Sequence, residues 1–303
     1  MTAPAPLEGQ VAVVTGATGG MGQVIARTLA RSGAHVITVA RDPHRADTLR
    51  DQIANDPGPG QLDVITGDLS HTNGLIASAT AITAQHDAIH ILINNAGAHF
   101  TRHRLSADGL EMHIAVDYFP AFAMTSLLEE ALRRGKARVV NIASDTIRDT
   151  RQVKLLGRPR PATIDPRDLD DLTRLNTAAG FVPFEAYARA KLLTVIAGYD
   201  QAHTLGTDGV TVNAVHPGIV ATDIVDDLIP PILRPVGSLI RRFMLTPEQG
   251  AAAALRLATD ESLAGISGRY FVRDIEVTTP TVSYDTTIQQ QLRDSSRRFL
   301  TGA

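Results

Sequence analysis

The chain has 303 residues, 44% of them hydrophobic, with 29 basic and 32 acidic side chains and a formal net charge of -3. That composition supplies a sizeable apolar core and leaves no basic footprint for a nucleic-acid partner. The absence of cysteine excludes disulfides, thiol nucleophiles and thiolate metal sites. No signal peptide and no membrane-spanning apolar run is read, so a cytoplasmic protein is expected.

The first predicted strand, Gln10-Val11-Ala12-Val13-Val14, runs into Thr15-Gly16-Ala17-Thr18-Gly19-Gly20-Met21-Gly22 and then a helical pattern of Val24, Ile25, Leu29 and Ala30. Glycines in such a place let the backbone turn tightly, approach a pyrophosphate and present amides at the positive end of a helix. Alone the motif is weak, its rival being a plain glycine-rich turn. Gly33 suits a left-handed end to this helix. The second strand, His35–Ala40, is apolar on both faces, as a buried parallel strand is. Arg41-Asp42 follows it. An acid at this point accepts hydrogen bonds from adenosine ribose hydroxyls, whereas an arginine pairs with a 2′-phosphate. With Ala40 at the strand end and Arg41 next, NADP(H) is read over NAD(H); a shift of one residue, to Asp42, reverses the choice.

A helix over 44–54 stops at Asp56-Pro57-Gly58-Pro59-Gly60. A third strand, Leu62–Thr66, leads to Gly67-Asp68-Leu69, where Asp68 serves either as an acceptor for an adenine amino group or as the N-cap of the next helix. A strand over Ile89–Ile93 runs into Asn94-Asn95-Ala96-Gly97. One long helix is expected over 106–134, opening at Ser106 or Asp108, and then a fifth strand over Arg138–Ser144 that ends in the serine. Residues 145–183 are charged and proline-punctuated and read as a surface insertion. Asp165, Asp168, Asp170 and Asp171 lack the ligand spacing of a metal loop. His99 and His103 read as pocket or surface histidines, and no metal centre is expected. A helix from about 183 carries Tyr187 and Lys191, four apart on one face. A strand over Val210–Val215, the turn His216-Pro217-Gly218-Ile219-Val220-Ala221-Thr222-Asp223, an apolar 224–243 segment, a helix near 247–259, a strand over Gly268–Val272 and a polar helical tail complete the chain. Strands alternating with helices indicate one α/β domain, a parallel sheet with helices on both faces.

The ordered set Thr-Gly-x-x-x-Gly-x-Gly, Asn-Asn-Ala-Gly, strand-end Ser144 and Tyr187-x-x-x-Lys191 resembles the short-chain dehydrogenase/reductase family over nearly the whole length. His216-Pro217-Gly218, the insertion containing Ile164-Asp165 and Arg41 look most like its retinol-dehydrogenase-like branch. The resemblance implies a doubly wound parallel sheet (a Rossmann fold) of about seven strands and an NADP(H)-dependent hydride transfer on a carbonyl/alcohol pair of lipophilic character. Tyr187 then acts as acid/base, Lys191 lowers its pKa and holds the nicotinamide ribose, and Ser144 hydrogen-bonds the reacting oxygen. Among cofactor residues, Gly16, Thr18, Gly20, Met21 and Gly22 match the pyrophosphate turn, and Asp68 and Leu69 the end of the third strand. Asn95, Ala96 and Gly97 match the strand end beside the adenosine ribose, and Pro217, Gly218, Ile219 and Thr222 the loop over carboxamide and phosphate. Asp117 stands where the family has an asparagine that holds a relay water. An ionised carboxylate cannot donate, and its charge opposes tyrosinate. A working relay with altered pH dependence is the first reading; an NADP-binding sensor or a non-redox enzyme on the same fold is the alternative. Segment 224–243 is expected to act as a substrate lid, and the helices near 106–134 and 183–205 imply a homodimer or homotetramer.

Overall fold

The computed structural model describes residues 5–151, 158–220 and 244–302. Its sheet contains β1 (Val11–Thr15), β2 (His35–Ala40), β3 (Gln61–Thr66), β4 (Ile91–Asn94), β5 (Arg138–Ile142), β6 (Thr211–His216), β7 (Tyr270–Val272) and β8 (Ile275–Glu276), in the order β3-β2-β1-β4-β5-β6-β7-β8. Neighbours are parallel except the terminal pair β7–β8. The eighth strand is two residues long and follows a tight turn at Arg273, whose φ is 56°. So short an element leaves no periodicity to read.

Side chains alternate across a strand, and here both faces are covered. Val13 and Ile37 join one core with the helices α3 (Thr72–Thr83), α4 (Phe119–Leu127) and α6 (Pro183–Leu205). Ala12, Val14, Val36 and Ile91 join the other with α1 (Gly20–Arg31), α2 (Pro43–Asn55) and α7 (Pro247–Thr259). The chain order reverses between β1 and β4. Parallel sheets open a crevice at that point, beyond the carboxyl ends of the strands.

Three expectations are corrected. The 106–134 stretch is not one helix. Residues 105–111 form a reverse turn, with Gly109 at φ 83° and a bridge between Leu105 and Glu111, and Asp108 instead accepts from Thr72 N at 2.6 Å. A π-helical turn then spans Ile114–Tyr118, in which Phe119 N donates to Ile114 O. The cause is Pro120, which has no N–H for the Val116 carbonyl and whose ring crowds it; a widened turn relieves both. Past α4 the chain steps at Leu128 into the separate helix α5 (Glu129–Gly135). Secondly, Asp68 is not the N-cap of α3. His71 is, its Nδ1 accepting from Gly74 N at 3.0 Å. Thirdly, the 145–183 stretch is more than a surface feature, because Leu169, Leu172 and Leu175 are buried in the main core.

The polar tail forms α8 (Thr286–Thr301), which lies across α6 and α4. Ile288, Leu292 and Leu300 are buried there, Phe299 packs edge-on to Phe119 at 5.1 Å, and the buried Tyr118 hydroxyl meets Ser296 Oγ at 2.5 Å. Arg293 pairs with Asp200 at 2.7 Å. The helices on which the family resemblance places subunit contacts thus pack against the chain's own C-terminal helix. Among the described residues, no helix is long and apolar enough to cross a membrane. Leu292 is fully buried at this seam, so Leu292→Ala is expected to lower stability by about 2–5 kcal/mol in denaturant unfolding, the usual cost of emptying such a site.

Candidate active site

The turn after β1 is built to bring backbone close to a ligand. Gly16 has φ 67°, and a Cβ there would stand 2.9 Å from Ala96 Cα. At Gly22 a Cβ would strike the Gly16 carbonyl and the Asn95 amide. Asn95 braces this turn: its Nδ2 donates to Thr15 O at 2.9 Å and Gly16 O at 3.1 Å, while Thr15 Oγ1 accepts from the amides of Asn95 and Ala96 at 3.0 Å each. β1 and β4 are stitched together at the crevice in this way. α1 begins beside it with Gly19 as N-cap and no side-chain cap. A Cβ at Gly19 would meet nothing within 4 Å. Thr18 is part-exposed above the turn and Met21 is buried beneath it.

At the end of β2, Asp42 is occupied as the N-cap of α2, its Oδ1 accepting from His44 N at 2.9 Å. Arg41 is exposed. Asp68 turns its carboxylate to Ser70 N at 2.9 Å; burial works against its charge, but that hydrogen bond and the nearby Arg41 hold it below the usual carboxylate range. Leu69 is buried next to it.

Ser144, Tyr187 and Lys191 converge at the ends of β5 and α6. Ser144 opens a short 3-10 turn, Asp145–Ile147, its Oγ accepting from Thr146 N at 3.4 Å. Lys191 Nζ lies 5.8 Å from the Tyr187 ring centre, donates to Ile142 O at 3.1 Å and stands 3.4 Å from Asp117 Oδ1. The side chains of Asp117 and Lys191 are 0% and 4% exposed. Asp117 Oδ1 also accepts from Ala98 N at 3.0 Å, and Thr194 Oγ1 donates to the Asp117 carbonyl at 2.9 Å. Asp117 Oδ2 is buried with no hydrogen-bond partner. Burial pushes the Asp117 carboxyl up, opposed by Lys191. Burial, and then the charge of Asp117, push the Tyr187 phenol well above its ordinary value, with the Ser144 hydroxyl opposing. Gly97 makes the arrangement possible: a Cβ there would stand 2.8 Å from Asp117 Oδ1 and 3.2 Å from Lys191 Nζ.

Sequence reasoning missed a second polar layer behind Tyr187. His113, fully buried, meets Glu111 Oε1 through Nδ1 at 2.9 Å, and its Nε2 accepts from Phe100 N at 3.0 Å. The ring therefore carries its proton on Nδ1. Glu111 also accepts from Asn176 Nδ2 at 2.9 Å, and Arg189 donates to Asn176 Oδ1. Burial opposes the Glu111 charge, but the bonds from His113 and Asn176 outweigh it and hold the carboxyl low. His113 thus pins the chain at Phe100, next to His99, which packs edge-on to Tyr187 at 5.7 Å. Burial and then His113 hold His99 at about 4, and its Nδ1 is buried without a partner. The signal was present as Glu111-x-His113 inside an otherwise apolar run, but the helix assumed there separates residues two apart. His103 instead packs on Phe181 at 5.3 Å.

On the far side, Gly218 has φ 98° and its missing side chain admits Leu245, with Pro217 buried and Ile219 exposed. Thr222 and the 224–243 lid fall outside the described residues.

A family model described as short chain dehydrogenase matches residues 10–153. Human retinol dehydrogenase 11 is 34% identical over 271 residues, covering 89% of this chain and 79% of that protein. The chain belongs to the short-chain dehydrogenase/reductase family. It falls in the retinol-dehydrogenase-like branch and is an NAD(P)-dependent oxidoreductase acting on the CH–OH/C=O pair. Human polyprenol dehydrogenase is 29% identical over 298 residues, covering 96% of this chain and 85% of that one. Among solved structures, a hydroxysteroid dehydrogenase from Escherichia coli superposes with a TM-score of 0.64 at 23% identity, over 89% of this chain and 97% of that one. A Beutenbergia cavernae protein described as an NAD(P) dependent gluconate 5-dehydrogenase, with bound NADP, superposes at 0.66 and 26% identity, over 90% and 98%.

The crevice fits a dinucleotide by its own geometry, since the turn is closed to any Cβ at Gly16 and Gly22 while the uncapped start of α1 is open at Gly19. Gly97→Ala is expected to force Asp117 and Lys191 apart and to lower kcat at least about tenfold, with dinucleotide binding by calorimetry changed far less.

Proposed function

We propose that this enzyme binds NADP(H) in preference to NAD(H) and interconverts a lipophilic carbonyl and its alcohol, with Tyr187 as acid/base. The observation that carries this reading is the convergence of Ser144, Tyr187 and Lys191 beside a glycine cradle. When bound, the nicotinamide supplies or accepts the hydride. The protein's part is to hold the substrate oxygen and move one proton. Ser144 donates a hydrogen bond to that oxygen, where negative charge grows as the carbonyl is reduced. Tyr187 delivers its phenolic proton to the same atom. Burial and the Asp117 charge both keep the phenol protonated, which suits carbonyl reduction at neutral pH. Lys191, fixed by Ile142 O and Asp117, puts a positive charge beneath the ring and limits that rise.

NADP(H) is supported by the division of labour after β2. Asp42 spends its acceptor on the start of α2, whereas Arg41 stays exposed at the strand end, where a 2′-phosphate would lie. The relatives named for retinol and polyprenol support a lipophilic substrate. The aromatic wall of Phe100 and Phe181 around His113 fits that character. A cytoplasmic location remains part of this proposal. So does a homo-oligomer, with the condition that pairing through the α4–α6 face would require α8 to move.

NADPH is expected to bind at least about tenfold more tightly than NADH, as loss of charge-assisted phosphate bonds implies. Tyr187→Phe should keep that binding while losing carbonyl-dependent NADPH oxidation; full activity in this variant would overturn the mechanism. Asp117→Asn gives a second readout. Removing the negative charge that holds the phenol up lowers its pKa, so tyrosinate forms earlier as pH rises. The rising limb of alcohol oxidation is therefore expected to move to lower pH, read from kcat/KM profiles.

A further inference from the structure

A group of side chains at the opposite end of the sheet has no part in this chemistry. His35 opens β2, and Asp63 is the third residue of β3, in register with Ile37. Residues two apart on a strand share a face, so His35, Ile37 and Asp63 stand on the same side of the sheet. His86 arrives three residues beyond α3, its backbone N–H bonded to Ile82 O at 3.0 Å. His35 Nε2 lies 2.7 Å and His86 Nε2 3.8 Å from the same oxygen, Asp63 Oδ2. The two imidazoles sit edge to face at 4.8 Å, and one donor atom from each of the three residues falls within 4.8 Å of the others.

We propose that His35, Asp63 and His86 form a site for a divalent cation of the zinc type, which clamps the edge strand β3 and the end of α3 to β2. Two imidazole nitrogens and one carboxylate oxygen are a donor set suited to zinc and its neighbours cobalt and nickel, not to magnesium or calcium. In a tetrahedral site with bonds of about 2.0–2.1 Å, donor atoms lie roughly 3.3 Å apart. The distances from Asp63 Oδ2 bracket that value, so small side-chain rotations bring the donors to it. The cation takes the place of the proton between His35 Nε2 and Asp63 Oδ2, and His35 as a neutral ligand then carries its ring proton on Nδ1. Two ligands stand on paired strands, which fixes their spacing before any metal arrives. A solvent-facing cavity of about 220 Å³ borders Asp63 and His86 and gives water room at a fourth position. Arg50 also borders it, but its guanidinium is paired with Asp47.

The test uses untagged full-length protein, stripped with chelator and titrated with zinc chloride by calorimetry, with cobalt(II) absorption reporting geometry and thermal unfolding reporting stability. One zinc per chain, a tetrahedral cobalt spectrum and a Tm raised by a few degrees are expected. His86→Gln leaves the His35–Asp63 hydrogen bond in place, so its metal-free Tm should match the parent while its zinc affinity falls at least about tenfold. Asp63→Asn should weaken zinc binding as much. Absence of stoichiometric zinc binding, or an unchanged affinity in both variants, overturns the proposal. NADPH oxidation is expected to be the same in His86→Gln as in the parent, so this result and that for the active site are read independently.

Discussion

A carboxylate and an ammonium, both removed from water and 3.4 Å apart, fix the geometry on which the candidate active site depends. Lys191 ties α6 to the end of β5 through Ile142 O, and Asp117 ties the π-helical turn to the strand-end loop through Ala98 N. Taking either charge away leaves the other buried and unmatched, a cost of about 3–5 kcal/mol. The pair is therefore structural cement as well as electrostatics. It also explains two local features at once. Gly97 has no side chain because the pair lies where one would go, and the turn is widened where Pro120 would otherwise break the helix, at the point that carries Asp117.

The same pair sets two opposing influences on Tyr187. A positive lysine beside a phenol favours the phenolate, whereas burial and then the aspartate favour the phenol. An amide in place of Asp117 would leave lysine unopposed. The carboxylate biases the tyrosine toward its protonated form, which in the proposed reaction suits it to give a proton to a carbonyl. Behind it, Glu111, His113 and Asn176 form a closed polar set whose outward result is the position of Phe100 N and, next to it, His99. His99 stands edge-on to the tyrosine with its Nδ1 buried and unpaired, and burial favours its neutral form. Leaving such a group unpaired is costly in a core and is characteristic of functional sites.

The C-terminal helix changes the meaning of another part of the fold. Helices α4 and α6 form an apolar seam with α8, where Phe119 packs against Phe299. Here α8 lays its own apolar stripe on them and pairs Arg293 with Asp200 of α6, while Arg297 reaches Glu129 at the start of α5. The burial that a partner could supply is supplied within the chain.

The residues themselves determined the parallel α/β sheet, the glycine turn, the tyrosine and lysine on one helix face, and helix α7 at its observed bounds. These rest on local rules: alternation, glycine conformations, capping and a spacing of four. Tertiary structure alone decided the rest. Asp68 loses the cap to His71 because only the packed loop shows which side chain reaches Gly74 N. Pro120 was visible in the sequence, yet whether it ends a helix or widens one depends on the neighbours that hold both halves in line. Leucines of the 145–183 stretch read as loop because their charged neighbours hide any period, and only the core shows where they go. His35, Asp63 and His86 are separated by 28 and 23 positions, and Glu111 and Asn176 by 65. No spacing rule links residues that meet only when strands pair and helices pack, since those contacts are set by three-dimensional register and not by sequence distance.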